Sequence, residues 1–206
     1  MPHLYYVHDP MCSWCWAFRT QLQTLRQCLP AGISHSRLLG GLAPDTDEPM
    51  PQAMRDHLQT TWRRIQERVP DTEFNFEFWK QTTPRRATYP ACRAVIAARS
   101  LMPEAEEQMI LAIQQAYYLE ARNPSDEPVL VSLAEAIGLD RQRFTEALRN
   151  TSTQRTLEEE IKHSRDLGVH SFPSLVLEVG SGHWPIPIDY LSAQTMLETI
   201  VMILDG

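Results

Sequence analysis

Two cysteines separated by Ser13 and Trp14, Cys12 and Cys15, are the side chains of this sequence best suited to covalent chemistry. Residues three apart in a helical turn share a face, with Cβ atoms about 5–6 Å apart, close to the separation a disulfide spans after small adjustment. Such a pair can open and close a bond without rearranging the fold. If a helix begins here, Cys12 also meets the unpaired N–H groups and positive dipole end of its first turn, which favours the nucleophilic thiolate. Two other chemistries compete. The pair could be two buried, small apolar residues, or it could hold zinc with His3 and His8 as further ligands. Zinc is disfavoured because His3 and His8, an odd number of residues apart in an extended segment, point to opposite faces, and there is no second CxxC. Cys28 lies about 24 Å further along a continuous helix at 1.5 Å per residue, too far for a disulfide to Cys12 or Cys15. It and Cys92 read as ordinary semi-buried thiols, dispensable for turnover.

These thiols need a strand and a helix to hold them. Leu4 to Val7 is a short apolar run suited to a buried strand, and Asp9 and Pro10 end it. From Cys12 to about Cys28 no Gly or Pro interrupts the chain, and Trp16, Leu22, Leu25 and Leu29 recur at roughly helical spacing. Ile33 to Leu39 reads as a second strand, closed by Gly40, Gly41 and Pro44. From about Asp45 to Asn150 the pattern is helical: one face runs Met54, Leu58, Trp62, Ile65, Val69, another Ala91, Ala94, Val95, Ala98, Leu101. Further helices are expected over Glu104 to Arg122, Val131 to Ile137, and Asp140 to Leu148 with Asp140 as N-cap. After a helix from about Gln154 to Leu167 come a strand at Ser174 to Val179, a turn at Ser181 and Gly182, and an edge strand at His183 to Ile188 carrying Pro185 and Pro187. A helix from Asp189 to Leu204 follows. The expected architecture is α/β, with residues 1–44 and 151–206 forming one domain around an all-helical insertion at 45–150.

Composition narrows the partners. At 206 residues and 43% hydrophobic the chain can bury a substantial core. Its 19 Lys and Arg against 26 Asp and Glu leave a net charge of −7 and no basic cluster fit to grip a phosphate backbone, so neither nucleic acid nor membrane is an expected partner. The N-terminus lacks the basic and apolar regions of a signal peptide, and no segment reaches the roughly 18 apolar residues of a membrane span. Four cysteines are too few for a disulfide-stapled scaffold. We expect a cytoplasmic protein, a monomer, with no cofactor and no metal.

A strand, a CxxC opening a helix, and much later Gly168-Val169-His170-Ser171-Phe172-Pro173 entering a strand together resemble the thioredoxin superfamily. With 15 prolines in the chain, the resemblance singles out Pro173 by its position before that strand. It implies a cis Pro173 facing the dithiol. The helical insertion is similar to that of the DsbA-like branch, and Asp9-Pro10-Met11-Cys12-Ser13-Trp14-Cys15-Trp16, Gly40-Gly41-Leu42 and Tyr89-Pro90-Ala91-Cys92-Arg93-Ala94 resemble its cytosolic FrnE-type group. The resemblance implies a thioredoxin fold, Cys12 as attacking thiolate, Cys15 as resolving thiol, and Phe172-Pro173 as the backbone that holds a substrate strand. The partners would be thiols or disulfides, of proteins or of glutathione.

Trp14 is expected to offer a substrate platform, Trp16 to be core, and His170 to be a solvated loop histidine. Two departures keep the redox poise from being carried over. Tyr6 stands six residues before Cys12, where thioredoxin and DsbA themselves have a carboxylate, and Ser13-Trp14 replaces their inner dipeptides. The architecture also resembles the kappa glutathione transferase and 2-hydroxychromene-2-carboxylate isomerase branch, which generally has serine at the first cysteine, so the intact Cys12 argues against that activity. A third class, a non-enzymatic metal- or partner-binding module, would reveal itself by stoichiometric metal in the purified protein.

Overall fold

The computed structural model describes residues Met1–Gly206. Its elements run β1 (His3–His8), α1 (Ser13–Gln27), β2 (Ser34–Leu39), α2 (Gln52–Arg68), α3 (Phe78–Gln81), α4 (Tyr89–Leu101), α5 (Ala105–Tyr118), α6 (Glu127–Ala136), α7 (Arg141–Arg149), α8 (Thr151–Asp166), β3 (Ser174–Val179), β4 (Gly182–Ile186) and α9 (Ala193–Asp205). The βαβ and αββα segments thus bracket a run of helices, as the pattern of the sequence implies. No helix is long and apolar enough to cross a membrane.

One sheet carries the strand order β2-β1-β3-β4. β2 lies parallel to β1, and β3 runs antiparallel to it. Side chains alternate across a strand, and burial follows that period. Leu4, Tyr6, Leu175 and Leu177 pack with Phe18, Leu22 and Leu25 of α1 and with Met196 and Ile200 of α9. Val7, Leu38 and Val176 face the other way, onto Leu167 and Val169. A larger cluster of 29 buried residues fills the space among the helices and takes in Met11, Trp16 and Leu39. The register Val7↔Ser174 matters most for function, because it brings Pro173, the residue before β3, level with the end of β1 where the chain turns toward Cys12.

Several boundaries differ from the sequence reading, each for a local reason. α5 stops at Tyr118 rather than Arg122: Asn75 donates from its backbone N–H to the Tyr118 carbonyl and from its side chain to that of Leu119, and Ala121 takes a left-handed φ of 54°. α6 starts at Glu127, earlier than expected, with proline in its first turn, where a missing N–H is harmless. α8 starts at Thr151, capped by Asn150, whose side chain accepts from Ser152 N–H. Asp140 caps α7 as expected, accepting from Arg143 N–H at 2.8 Å. Asp189 does not open α9; its Oδ1 accepts from Leu191 and Ser192 N–H in a turn, and the helix begins at Ala193. The β3–β4 turn consists of Gly180 and Ser181, with Gly180 at φ +63°, one residue before the expected pair. β4 is an edge strand, so Pro185 breaks no ladder there.

Candidate functional site

β1 delivers the chain to the site, and a tight connection turns it into α1. Cys12 N–H donates to the Asp9 carbonyl at 3.0 Å, and Trp16 N–H closes the first helical turn onto the Cys12 carbonyl at 3.1 Å. Cys12 is thereby the N-cap residue of α1, and Cys15 sits in the first turn. Both are free thiols, with Cys12 7% and Cys15 1% exposed.

The two sulfurs are driven apart in acidity. The Cys12 thiol is lowered from its ordinary range, first because the Cys15 thiol donates a hydrogen bond to it; burial opposes this, and the Cys15 and Trp14 backbone N–H groups add to the lowering. Cys15 is raised well above the ordinary range by burial and by the charge that Cys12 acquires. The helix-terminus effect is therefore present but second to the neighbouring thiol.

The Phe172–Pro173 peptide bond is cis, and Cys12 Sγ donates to the Phe172 carbonyl at 3.5 Å. The structure thus brings together Cys12, Cys15, Phe172 and Pro173. Gly40 shapes this contact, because a Cβ there would collide with the Phe172 ring. Gly41, at φ +61°, would meet Ile161 and Tyr89 in the same way. Gly40 is therefore a close-packing requirement of the proline loop, and Gly41 of the α4 and α8 side chains beside it.

Trp14 is half-buried. Its ring lies 5.0 Å from that of Tyr190, and the Arg68 guanidinium sits 5.8 Å from the Trp14 ring and 5.3 Å from that of Tyr190. This is an aromatic shelf beside the dithiol with a cation over it. Trp16 is core, 2% exposed, stacked on Tyr118, with its indole N–H on the Glu73 carbonyl at 3.0 Å. His170 is exposed and 3.2 Å from Arg165.

Two residues carry more than the sequence reading gave them. Asp9 is completely buried, and its carboxylate accepts from Met11 N–H (2.8 Å), Leu42 N–H (2.7 Å), Thr88 Oγ1 (2.6 Å) and Cys92 Sγ (3.5 Å). It ties the dithiol connection to the loop after β2 and to the start of α4. Cys92 is not semi-buried but fully enclosed; burial and the Asp9 charge push its thiol well above the ordinary range. Cys28 is exposed at the C-cap of α1. Only the placement of Asp9 three residues before Cys12, and the Thr88-Tyr89-Pro90 helix start, hinted at this link. A carboxylate and a thiol 83 residues apart cannot be paired by pattern alone.

Metal-ligating groups are dispersed. His3 bonds the Ser34 and Ser36 hydroxyls at 2.7 Å each, whereas His8 is buried and stacked on Tyr6. The structure gathers no set of three or more His, Cys, Asp or Glu side chains placed to hold a metal ion.

A family model described as thioredoxin matches residues 5–179. The fold aligns with a protein from Nitrosomonas europaea provisionally assigned as a protein disulfide isomerase, at a TM-score of 0.85 and 26% identity, covering 99% of this chain and 98% of that one. It also aligns with the cytosolic disulfide reductase DsbM of Pseudomonas aeruginosa, at a TM-score of 0.77 and 22% identity over 98% of each chain. In sequence the chain is 25% identical over 175 residues to the ClpXP adapter protein SpxH of Bacillus subtilis, covering 84% of this chain and 56% of that protein. The chain thus spans little more than half the length of that relative.

Proposed function

This chain belongs to the thioredoxin family, in its DsbA-like form with an intact CxxC, and from that premise we propose that it is a thiol–disulfide oxidoreductase. Cys12 attacks a substrate disulfide, a mixed disulfide forms, and Cys15 resolves it, or the same steps run in reverse. The observation that carries this reading is the Cys12 sulfur at the start of α1, with its acidity raised and its Sγ on the Phe172 carbonyl. A substrate strand that takes over that carbonyl lies against Cys12 and the ring of Pro173, and the Trp14–Tyr190 shelf supports its side chains. Residues 1–44 and 151–206 carry this chemistry, and the insertion at 45–150 walls the site through Thr88 and Cys92, which bond to Asp9. The setting is the reducing cytoplasm, which favours reductase or isomerase use; the substrates are protein or glutathione disulfides, and the protein acts as a monomer.

Reduction of insulin and of glutathione disulfide, with the potential measured against glutathione, tests the proposal. Turnover that disappears in Cys12→Ser supports it, and no turnover with either substrate sinks it. The similarity to SpxH favours a second reading, a non-catalytic adapter. Under that reading, Cys12→Ser and Cys15→Ser would retain full binding of the client, measured by co-purification with the protease complex.

A further inference from the structure

A cavity of about 310 Å³ lies beside Cys15. Its buried wall is formed by Tyr6, His8 and Cys15, and its outer part includes Arg19 and Gln23 of α1 and Leu111 of α5. Tyr6 and His8 share one face of β1, with ring centroids 5.0 Å apart and planes within 5° of parallel. Tyr6 and Cys15 line the same wall of this cavity, and the Tyr6 phenol acts to lower the Cys15 thiol against the larger effect of burial. His8 is 1% exposed, yet its Nε2 has no hydrogen-bond partner in the protein. An unmatched polar atom of this kind is rare in native structures, and the residue that carries it lines a cavity large enough to hold water.

We propose that Tyr6, His8 and this cavity form the proton exit of Cys15, in place of the carboxylate that the sequence lacks six residues before Cys12. This rests on the reading that Cys15 is the resolving thiol. As it resolves, the Cys15 S–H bond breaks and its proton passes to water held at His8 Nε2, then to solvent past Arg19 and Gln23. The sulfur electron pair forms the new bond to Cys12, and the substrate sulfur leaves with its bonding pair as thiolate. Tyr6 donates to the nascent Cys15 thiolate and keeps its own proton throughout.

The surrounding charges fit these roles. Burial, then Cys15 itself, holds the Tyr6 phenol well above its ordinary range, so it remains a donor at neutral pH, against a smaller opposing pull from Arg37 on β2. Burial, then Arg37 and Arg99 of α4, pushes His8 down to about 3, so its ring stays neutral and binds water without becoming a cation. Cys15 itself faces Cys12, Asp9 and Tyr6, with the Tyr118 and Tyr190 phenols close by. Arg19 and Arg26 of α1 and Glu107 of α5 complete the charged lining.

The experiment is a stopped-flow reaction of one equivalent of Ellman's reagent with the reduced full-length protein carrying Cys28→Ser, from pH 5 to 9. The first release of aryl thiolate reports Cys12 attack, and the second reports Cys15 resolving the mixed disulfide. Tyr6→Phe should slow the second phase about tenfold at neutral pH, as expected for losing a hydrogen bond to an ionised group. It should also move that phase's inflection upward by about one pH unit while leaving the first phase unchanged. His8→Phe keeps the ring stack and removes Nε2, and should slow the second phase severalfold with its inflection unmoved. Second phases at the unaltered rate in both variants would overturn the proton exit, and so would a Tyr6→Phe second phase slowed equally at every pH. Absence of a second phase in the parent protein would overturn the resolving role of Cys15 as well, whereas a normal parent phase with indifferent variants overturns the proton exit alone.

Discussion

Cys12 and Cys92 are both buried sulfurs at the beginning of a helix, yet their environments push them in opposite directions. Cys12, at the N-cap of α1, receives hydrogen bonds from the Cys15 thiol and from backbone N–H groups, and its acidity rises. Cys92, in the first turn of α4, is fully enclosed and gives its hydrogen bond to a carboxylate, and its acidity is lowered first by burial, then by the Asp9 charge. The same group, Asp9, raises both pKa values, but at Cys12 the donors prevail. Neither burial nor a helix start by itself makes a thiol nucleophilic; at Cys12 the hydrogen bonds it receives outweigh burial, and at Cys92 burial and the carboxylate act together.

The sharpest way to break this comparison is to remove each sulfur in turn. Cys12→Ser should bring insulin and glutathione disulfide reduction down to the uncatalysed rate, whereas Cys92→Ser should stay within a few-fold of the parent. Near-complete loss in Cys92→Ser would make it a third redox thiol. Next in size is the shared carboxylate. Asp9→Ala leaves Met11 and Leu42 N–H and the Thr88 hydroxyl without their acceptor, at about 1–3 kcal/mol each, so urea denaturation should show a loss of at least about 3 kcal/mol. A smaller effect appears in the pH dependence of stability of the reduced protein. A thiol lowered on folding adds stability as pH rises from its lowered value to about 8.5, the unfolded value, and a raised thiol removes stability above about 8.5, in each case by at most about 1.4 kcal/mol per pH unit. Cys92→Ser should therefore flatten the loss of stability above about 8.5, and Cys12→Ser should remove the gain below it; parallel profiles for the two would end the contrast. Smallest is Asp9→Asn, which removes the charge that opposes Cys12 ionisation. Mass-spectrometric alkylation rates against pH should place the Cys12 inflection lower than in the parent, with Cys92 unreactive until the chain unfolds. An upward move would mean that Asp9 acts on Cys12 through geometry and not through charge.

The sheet and the dithiol were legible in the sequence because their signals are local. Ser174–Val179, rich in Val and Leu, is β3 with the bounds read from the sequence, and the CxxC lies where an uninterrupted helical pattern follows a strand. Pro173 was legible through its place before that strand. α3, only Phe78–Gln81, is too short to show a period and went unseen. Asp189 reads as the start of the last helix because an Asx turn and a helix start use the same side-chain chemistry. The Asp9–Thr88–Cys92 cluster was illegible for a different reason: each residue is unremarkable alone, and their meeting depends on how α4 packs beneath the connection between β1 and α1. Tyr6 could be read as a missing carboxylate, but its place beside Cys15 and its stack on His8 needed the strand register and the position of α1 together.

The absent side chain at Gly40 has a consequence for how this protein can vary. The Phe172 ring occupies the space that a Cβ would take, so a methyl group at residue 40 displaces the ring whose carbonyl receives the Cys12 thiol. Residues 40 and 172 are therefore free to change only as a pair: Gly40→Ala alone is deleterious, and a smaller residue at 172 restores tolerance to it. A double-mutant cycle on these two sites should show strong non-additivity, an epistatic link between a loop after the second strand and the approach to the third, although the two are 132 residues apart in sequence.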